Sequence, residues 1–391
     1  MQYQIKMKAI CKKLVAYTTF HFMPNVQSCS RIIIRDYHIV PVEEARSFIQ
    51  RCMVATGTRE SHANDLAEVL VTADHRGHYS HGMNRLDMYV NDIKNGITVS
   101  DKDPVILKET AATAWVEGNN VLGPVVGKFC TDIAIKKAKE AGIGWVVAKG
   151  SNHYSIAGWY ALKAMQEGLI GMSFTNTSPL VTPTRAQKPS LGTNPIACGA
   201  PAKDDDGFVL DMATSAVALG KIELNDRKGI PIPDGWGSDA SGKVSNDSKA
   251  VLSGGGLMPL GGTEMCSGYK GYGLGMMVEL FCGILGGANY GPNIRKWKSS
   301  SEVANLGQCF VAINPEAFAP GFPDRMQSFI DDFRNLPAAE GETEVLVAGD
   351  PERKHIDKVK KDGGLSYHKN LIEHINTLAN SLNVEPIKTI D

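Results

Sequence analysis

The feature that most constrains this chain is a pair of short apolar runs, Ile143-Gly144-Trp145-Val146-Val147-Ala148 and Leu169-Ile170-Gly171-Met172-Ser173-Phe174, with a helix-like stretch over residues 156–167 between them. Neither run alternates apolar with polar residues, the pattern of strands covered on both faces, so both are expected inside an α/β sheet. The first run leads into Gly150-Ser151-Asn152-His153-Tyr154, which places the imidazole of His153 where strand gives way to helix. In open α/β sheets, ligands bind outside the carboxyl ends of the strands, so His153 is a candidate site residue. The competing reading is a loop histidine that satisfies a backbone group.

The alternation extends over residues 113–212. Ala114-Trp115-Val116-Glu117 reads as a strand, residues 125–140 as an amphipathic helix with Lys136, Lys137 and Lys139 outward, and Phe208-Val209-Leu210-Asp211-Met212-Ala213 as a strand with an acid at its end. Strands that end in Asn, Thr, His or Asp are expected to form a polar rim, the lining of a site on a sheet edge. Upstream, Pro41 suits a first helical turn, Glu43 and Glu44 complement its dipole, and Ala45, Phe48, Ile49, Cys52 and Met53 recur at helical spacing. A second helix is signalled by Thr58, with Ala63, Leu66, Ala67, Leu70 and Val71 as its buried stripe.

Composition narrows the partners. The 41 basic and 42 acidic residues balance, which gives no long-range attraction to nucleic acid or an anionic membrane. No apolar run reaches the roughly 18–20 residues that cross a bilayer. Small molecules and copies of the chain itself remain. The eight cysteines show no C-x-x-C spacing and read as reduced thiols in an intracellular protein, cytoplasmic or else mitochondrial. Residues 1–36 carry Lys6, Lys8, Lys12, Lys13, Arg31 and Arg35 with no acid before Asp36, a composition that fits a transit peptide or a disordered extension.

Two further stretches carry chemistry. Residues 74–85 hold His75, His78 and His81 with Arg76 and Arg85. A metal site is one reading, but on a continuous helix the three rings would fan over about 120°. An anion site is another, with Ser80 capping a new helix and Arg85 one turn inside it, able to hold a carboxylate by two parallel hydrogen bonds. A solvated polar turn is the third. Gly268-Tyr269-Lys270-Gly271-Tyr272-Gly273-Leu274-Gly275 leads into a helix-like apolar run over residues 276–285 and offers either N–H groups and a lysine to a phosphate or close helix packing. Neither G-x-G-x-x-G nor a P-loop occurs.

Taken together, Gly150-Ser-Asn-His153, Ser80-His81-Gly82 with Arg85, Gly192-Thr-Asn-Pro195, Asp211-Met-Ala-Thr214, Gly220-Lys-Ile-Glu223, Ile232-Pro-Asp-Gly-Trp236 and Tyr269-Lys-Gly-Tyr-Gly273 resemble the malate/L-lactate dehydrogenase family of the non-Rossmann type, over about residues 37–380 and in order. That family includes ureidoglycolate, sulfolactate and diketogulonate dehydrogenases. The resemblance implies an α/β fold with a mixed-sheet domain over residues 113–212 carrying His153, and a discontinuous, largely helical domain over 37–112 and 213–391. It also implies a homodimer and an NAD or NADP cofactor bound without the Rossmann fingerprint. By the same resemblance His81 and His153 are the catalytic histidines and Arg85 the carboxylate anchor. Ser80, Thr193 and Asn194 stand with Arg85 at the substrate, and Asp211, Met212, Ala213, Thr214, Lys270, Gly271, Gly349 and Asp350 at the cofactor. Two departures are visible: Ser155 stands where many relatives have glycine, and Ala348-Gly349-Asp350 replaces the usual Pro-Gly-Glu.

The implied reaction is oxidation of a small 2-hydroxy acid, or reduction of the matching 2-oxo acid. It needs a base for the hydroxyl proton, and an imidazole with its ordinary pKa near 6.5 suits that role. His153 is the expected base, with His81 as the alternative. Reduction of a cyclic imino acid, a metal-dependent hydrolase built on His75, His78 and His81, and a nucleotide-binding protein without turnover are the other classes the residues allow.

Overall fold

A computed structural model describes residues 36–390 apart from 298 and 300. The expected transit peptide or extension therefore lies outside the described residues. Strand β1 (Tyr37–Val40) pairs antiparallel with a strand from the far end of the chain, Tyr37 opposite His368 and Val40 opposite Leu365. Helix α1 (Val42–Ala55) starts behind Pro41 with Glu43 and Glu44 in its first turn, and buries the expected stripe from Ala45 to Met53. Helix α2 (Glu60–His75) is entered from Arg59 rather than from Thr58, buries Leu66 and Leu70, and stops before Gly77, whose φ of 88° is open to glycine at little cost. Helix α3 (Leu86–Lys94) follows a single 3-10 turn at Met83–Arg85.

The sheet comprises β2 (Val105–Glu109), β3 (Thr113–Glu117), β4 (Ile143–Ser151), β5 (Ile170–Thr175), β6 (Ile196–Pro201), β7 (Gly207–Met212) and, after a long excursion, a strand at Leu306–Ile313. The excursion holds α6 (Leu219–Lys228), α7 (Ser248–Leu252), α8 (Gly268–Glu279) and the short strands β8 (Gly237–Ser238), β9 (Val244–Ser245) and β10 (Gly256–Leu257). Its return strand is β11, and α9 (Phe322–Arg334), α10 (Asp350–Asp362), β12 (Leu365–His368) and α11 (Lys369–Ser381) complete the chain. The strand order is β2-β3-β4-β11-β5-β6-β7. The sheet is thus wider than residues 113–212, since β2 and β11 join it from outside that span.

β3 and β4 are parallel, and every other neighbouring pair is antiparallel. Following the pairings across, β3, β4, β5 and β7 run one way and β2, β11 and β6 the other. The carboxyl ends of four strands therefore meet on one edge, beside the amino ends of β11 and β6. Asparagines stitch this edge together: Asn152 donates to Asn120 Oδ1 (3.0 Å) and Val121 O (2.9 Å), Asn305 accepts from Gly150 N (2.9 Å), and Asn176 accepts from Gly307 N (2.9 Å). The expected polar rim is present, and much of its amide chemistry is spent on holding strand ends in place.

Helices α4 (Gly123–Ala141) and α5 (Gly158–Met165) cover one face of the sheet. They lie close because Gly144 and Gly171 leave room for the carbonyls of Ala134 and Ala161. Lys137, expected outward, is buried: its ammonium reaches Thr110 O (2.6 Å) and Glu109 Oε2 (3.0 Å) at the β2–β3 turn while its alkyl stem lies in the interior. On the other face, Val278 and Cys282 from α8 and its π-helical continuation (Leu280–Ile284) pack on Val147, Phe174, Cys309 and Val311. Among the described residues no helix is long and apolar enough to cross a membrane.

Candidate active site

The site begins where β4 ends. His153 is pressed from below by α4, whose first residue, Gly123, has no room for a Cβ because the carbonyls of Asn152 and His153 lie against it. Tyr89, from α3, is buried and brings its Oη to 2.6 Å from His153 Nδ1 and 3.3 Å from His153 O. Two groups face this nitrogen, the Tyr89 hydroxyl and, at 3.4 Å, the backbone N–H of Ser155. In the tautomer that carries its proton on Nδ1, the hydroxyl accepts that proton's hydrogen bond and donates its own to the carbonyl, and Nε2 keeps its lone pair. Tyr89 was invisible in the sequence as a site residue. Its position on the buried stripe of an amphipathic helix gives no signal that its hydroxyl ends on an imidazole.

The second histidine arrives on the turn between α2 and α3. His81 stacks over His153, ring centroids 5.9 Å apart and planes 19° apart, and its Nδ1 lies 2.8 Å from Ser80 Oγ. Ser80 does not cap a helix: Gly82 precedes the 3-10 turn and Arg85 leads directly into α3. The turn is fixed instead by a buried acid at the end of α2. Asp74 Oδ2 accepts from Met83 N (2.8 Å) and from Tyr367 Oη (2.7 Å), and among the described residues its Oδ1 has no partner. The carboxylate occupies the space where any Cβ at Gly82 would stand, which explains the glycine in Ser80-His81-Gly82. Burial pushes the Asp74 carboxyl up to about 7, with Tyr367 and Met83 pulling the other way.

Arg85 is oriented by two contacts. Its Nε donates to Ser80 O (2.6 Å), and its guanidinium carbon lies 5.3 Å from the centre of the Trp297 ring. The terminal nitrogens make no hydrogen bond among the described residues, so the forked edge that matches a carboxylate remains available. Trp297 also lies 5.8 Å from His153. Its segment is anchored by the nearly buried ion pair of Arg295 with Asp92 on α3 (2.6 Å). Trp297 sits in a stretch without helical or strand periodicity and could not be placed from sequence.

The environment sets the protonation of both imidazoles. Loss of hydration, then the fields of His81, Arg85 and Arg295, hold His153 well below the ordinary histidine value. Loss of hydration, then Arg85 and His78, bring His81 down to about 4. The pKa near 6.5 expected of a free imidazole is therefore displaced downward for both, and each ring is neutral at physiological pH.

The other candidate residues fall into groups. Thr193, half-buried, lies on the same strand edge, while Asn194 is fully buried and commits its amide to Gly275 O (2.9 Å), Glu279 Oε1 (3.1 Å) and Thr177 N (3.1 Å). Glu279, a buried acid on α8, also receives Asn176 (2.9 Å) and so ties that helix to the rim. The stretch Asp211, Met212, Ala213 and Thr214 runs off the end of β7; Asp211 Oδ2 accepts from Gly158 N (2.8 Å) at the start of α5, and Thr214 bonds Thr193 O. Lys270 is exposed in the first turn of α8 and makes no ion pair among the described residues, whereas Gly271 is packed against Leu260. Asp350 begins α10, and Gly349 before it has a φ of 102°.

These residues fit a dinucleotide unequally. Lys270 supplies an unpaired cation suited to a phosphate. Both oxygens of Asp350 are already taken, Oδ1 by Arg334 (2.6 Å) and Arg353 (2.6 Å) and Oδ2 by Arg334 (3.1 Å) and Val347 N (2.9 Å), so it has little left to offer a ribose hydroxyl. These guanidiniums hold its carboxyl at about 2 against the effect of burial. Among the described residues no three His, Cys, Asp or Glu side chains are placed to hold a metal ion, and His78 turns away towards Glu352 (3.5 Å).

The family model described as malate/L-lactate dehydrogenase matches residues 40–376. A malate dehydrogenase from Pyrococcus horikoshii is 40% identical over 354 residues, covering 90% of this chain and 97% of its own, and its solved structure superposes with a TM-score of 0.83 at 36% identity over the same shares. The structure of sulfolactate dehydrogenase from Methanocaldococcus jannaschii gives a TM-score of 0.82 at 36% identity, covering 90% of this chain and all of that one. A Delta(1)-pyrroline-2-carboxylate/Delta(1)-piperideine-2-carboxylate reductase from Pseudomonas putida is 32% identical over 296 residues, 75% of this chain and 84% of its own.

Proposed function

The chain belongs to the malate/L-lactate dehydrogenase family and is an NAD(P)-dependent oxidoreductase of 2-hydroxy and 2-oxo acids, and we propose that His153, His81 and Arg85 carry that reaction on a small malate- or lactate-like acid. Arg85 takes the substrate carboxylate on its free edge and thereby fixes which face of C2 is presented. His153 Nε2 removes the hydroxyl proton while the electron pair of the C2–H bond leaves as hydride and the C–O bond becomes C=O. When bound, the nicotinamide supplies the hydride acceptor. The imidazolium keeps its Nδ1 proton on Tyr89 Oη, so the new positive charge meets a short hydrogen bond. His81, neutral and stacked on His153, polarises the substrate oxygen. In reduction each step reverses. We assign the dinucleotide to Lys270 and the stretch from Asp211 to Thr214, with Gly271, Gly349 and Asp350 shaping the surrounding backbone.

The observation that carries this reading is the convergence of two neutral imidazoles and one open-edged guanidinium on a single strand end. The test is turnover, followed by nicotinamide absorbance with NAD and NADP in turn, on malate, lactate, sulfolactate and ureidoglycolate and their oxo forms. His153→Asn should keep nucleotide affinity and lose about 10²–10⁴ in turnover. Collapse in His81→Asn with survival in His153→Asn would exchange the two roles. Survival in both would sink the two-histidine mechanism. A second reading, reduction of a cyclic imino acid, is supported by the similarity to the Pseudomonas reductase and joins the same screen.

We further propose a homodimer. Along α8 and its continuation Tyr269, Met276, Met277, Leu280, Ile284 and Leu285 are all exposed, an apolar stripe of the kind that a second copy of the chain would cover. Placement in the cytoplasm is supported by the unpaired thiols Cys52, Cys130, Cys198, Cys266, Cys282 and Cys309, the state that a reducing compartment maintains.

A further inference from the structure

We propose that Ser155 is a positioning residue whose hydroxyl ties the turn carrying His81 to the strand end carrying His153. Its φ is 67°, a conformation that favours glycine and that asparagine or aspartate tolerates through its own short side chain. Among the described residues most other non-glycine residues with positive φ are Asn or Asp, including Asn119, Asn120, Asp204 and Asp205. A serine held there, 5% exposed, is strained unless its side chain contributes something in return.

Its Oγ donates to His81 O at 2.8 Å, across 74 residues of sequence. Among the described residues this is the one hydrogen bond between residues 78–82 and 151–155. It is thus the direct tie between the two ring-bearing segments, beside the Asp74 contacts that hold the turn and the Tyr89 contact that holds His153. The proposal rests on the reading of His81 and His153 as the proton-handling pair.

The tether also sets what His153 senses. Facing that imidazole are His81 from the turn, Arg85 and the Tyr89 hydroxyl from the start of α3, and Arg295 from the segment before β11, with the Trp297 ring beside it. If the turn moves outward, water enters and the fields of His81 and Arg85 weaken. Each change favours the protonated imidazole, so the titration of His153 moves up.

The experiment compares the full-length wild type with Ser155→Gly and Ser155→Ala. It reads turnover, the acid limb of kcat/KM, thermal midpoint, and the titration of His153 by NMR on protein labelled at histidine nitrogen. Glycine removes the tether and relieves the backbone, so turnover should fall by about tenfold or more while the melting temperature stays level or rises. Alanine removes the tether and keeps the strain, so turnover should fall as far while the melting temperature drops. In both variants the His153 titration should move upward. Wild-type turnover and an unmoved titration in Ser155→Gly would overturn the proposal, as would turnover losses that simply track the melting temperature. Should His153→Asn prove fully active, the proton-pair reading fails, and the NMR titration still decides whether Ser155 holds the two rings together.

Discussion

Replacing Asp74 by Asn should remove a pH dependence of stability that the wild type carries between pH 5 and 8. The carboxyl is fully buried and raised from 3.8 to about 7. Between those values the folded chain holds a proton that the unfolded chain has released, so unfolding free energy falls as pH rises, by about 1.4 kcal/mol per unit. The stabilising effect of the raised pKa is whole below the unfolded value and is lost by the time pH passes the folded one. Over about three units the total is about 4 kcal/mol, of which about 2 kcal/mol lies between pH 5 and 7, because the slope halves as pH reaches the folded value. Asparagine never ionises. Its oxygen can replace Oδ2 towards Met83 and Tyr367, but its amino group then occupies the unpartnered Oδ1 position against Gly82, at a pH-independent cost of about 1–3 kcal/mol. Denaturant unfolding of both proteins at pH 5, 6, 7 and 8 should show the variant weaker at pH 5, with the gap closing or reversing by pH 8. Titrations common to both cancel in the difference. Parallel profiles over this range would mean that Asp74 is ionised in the fold and that the argument from burial is wrong.

Arg85→Leu should raise the Michaelis constant for the acid substrate far more than that for the nucleotide, corresponding to about 2–5 kcal/mol of lost charge-assisted contact; an unchanged substrate constant would remove the anchor role. The acid limb of kcat/KM for oxidation should fall below pH 6.5, because both imidazoles are displaced downward, and should vanish in His153→Asn; a limb at or above 6.5 in the wild type would contradict the environment described for His153. Gly82→Ala forces a Cβ into the Asp74 carboxylate and should cost about 1–3 kcal/mol in stability together with turnover; a variant that melts and turns over like the wild type would show that the turn can yield.

Local signals announced much of this architecture. The helical stripes of α1 and α2 and the apolar runs of β4 and β5 are read correctly because burial on one or both faces is written into consecutive residues. What escaped is long-range. Lys137 looks like its outward neighbours until the β2–β3 turn supplies a carbonyl and a carboxylate. The Asp74–Tyr367 bond spans 293 positions, and nothing near either residue marks the other. At the site, the family resemblance drew attention to His81, His153 and Arg85, but the partners that orient them, Tyr89 and Trp297, could be found only by folding. Glu279 was likewise silent, since a lone acid in an apolar helix declares its burial only when Asn176 and Asn194 close on it.

The place of β11 between β4 and β5 has a consequence for how the sheet can be built during synthesis. β4 and β5 make no ladder with each other; they are joined only through Leu306–Ile313, which leaves the ribosome long after both. Until then the nascent chain holds two half-sheets, β2-β3-β4 and β5-β6-β7, each with a bare inner edge able to recruit foreign strands. Assembly is thus a late, long-range closure, the kind of topology that folds slowly and leans on chaperones. A chain released just before β11 should therefore aggregate, although it already contains both histidines and the arginine.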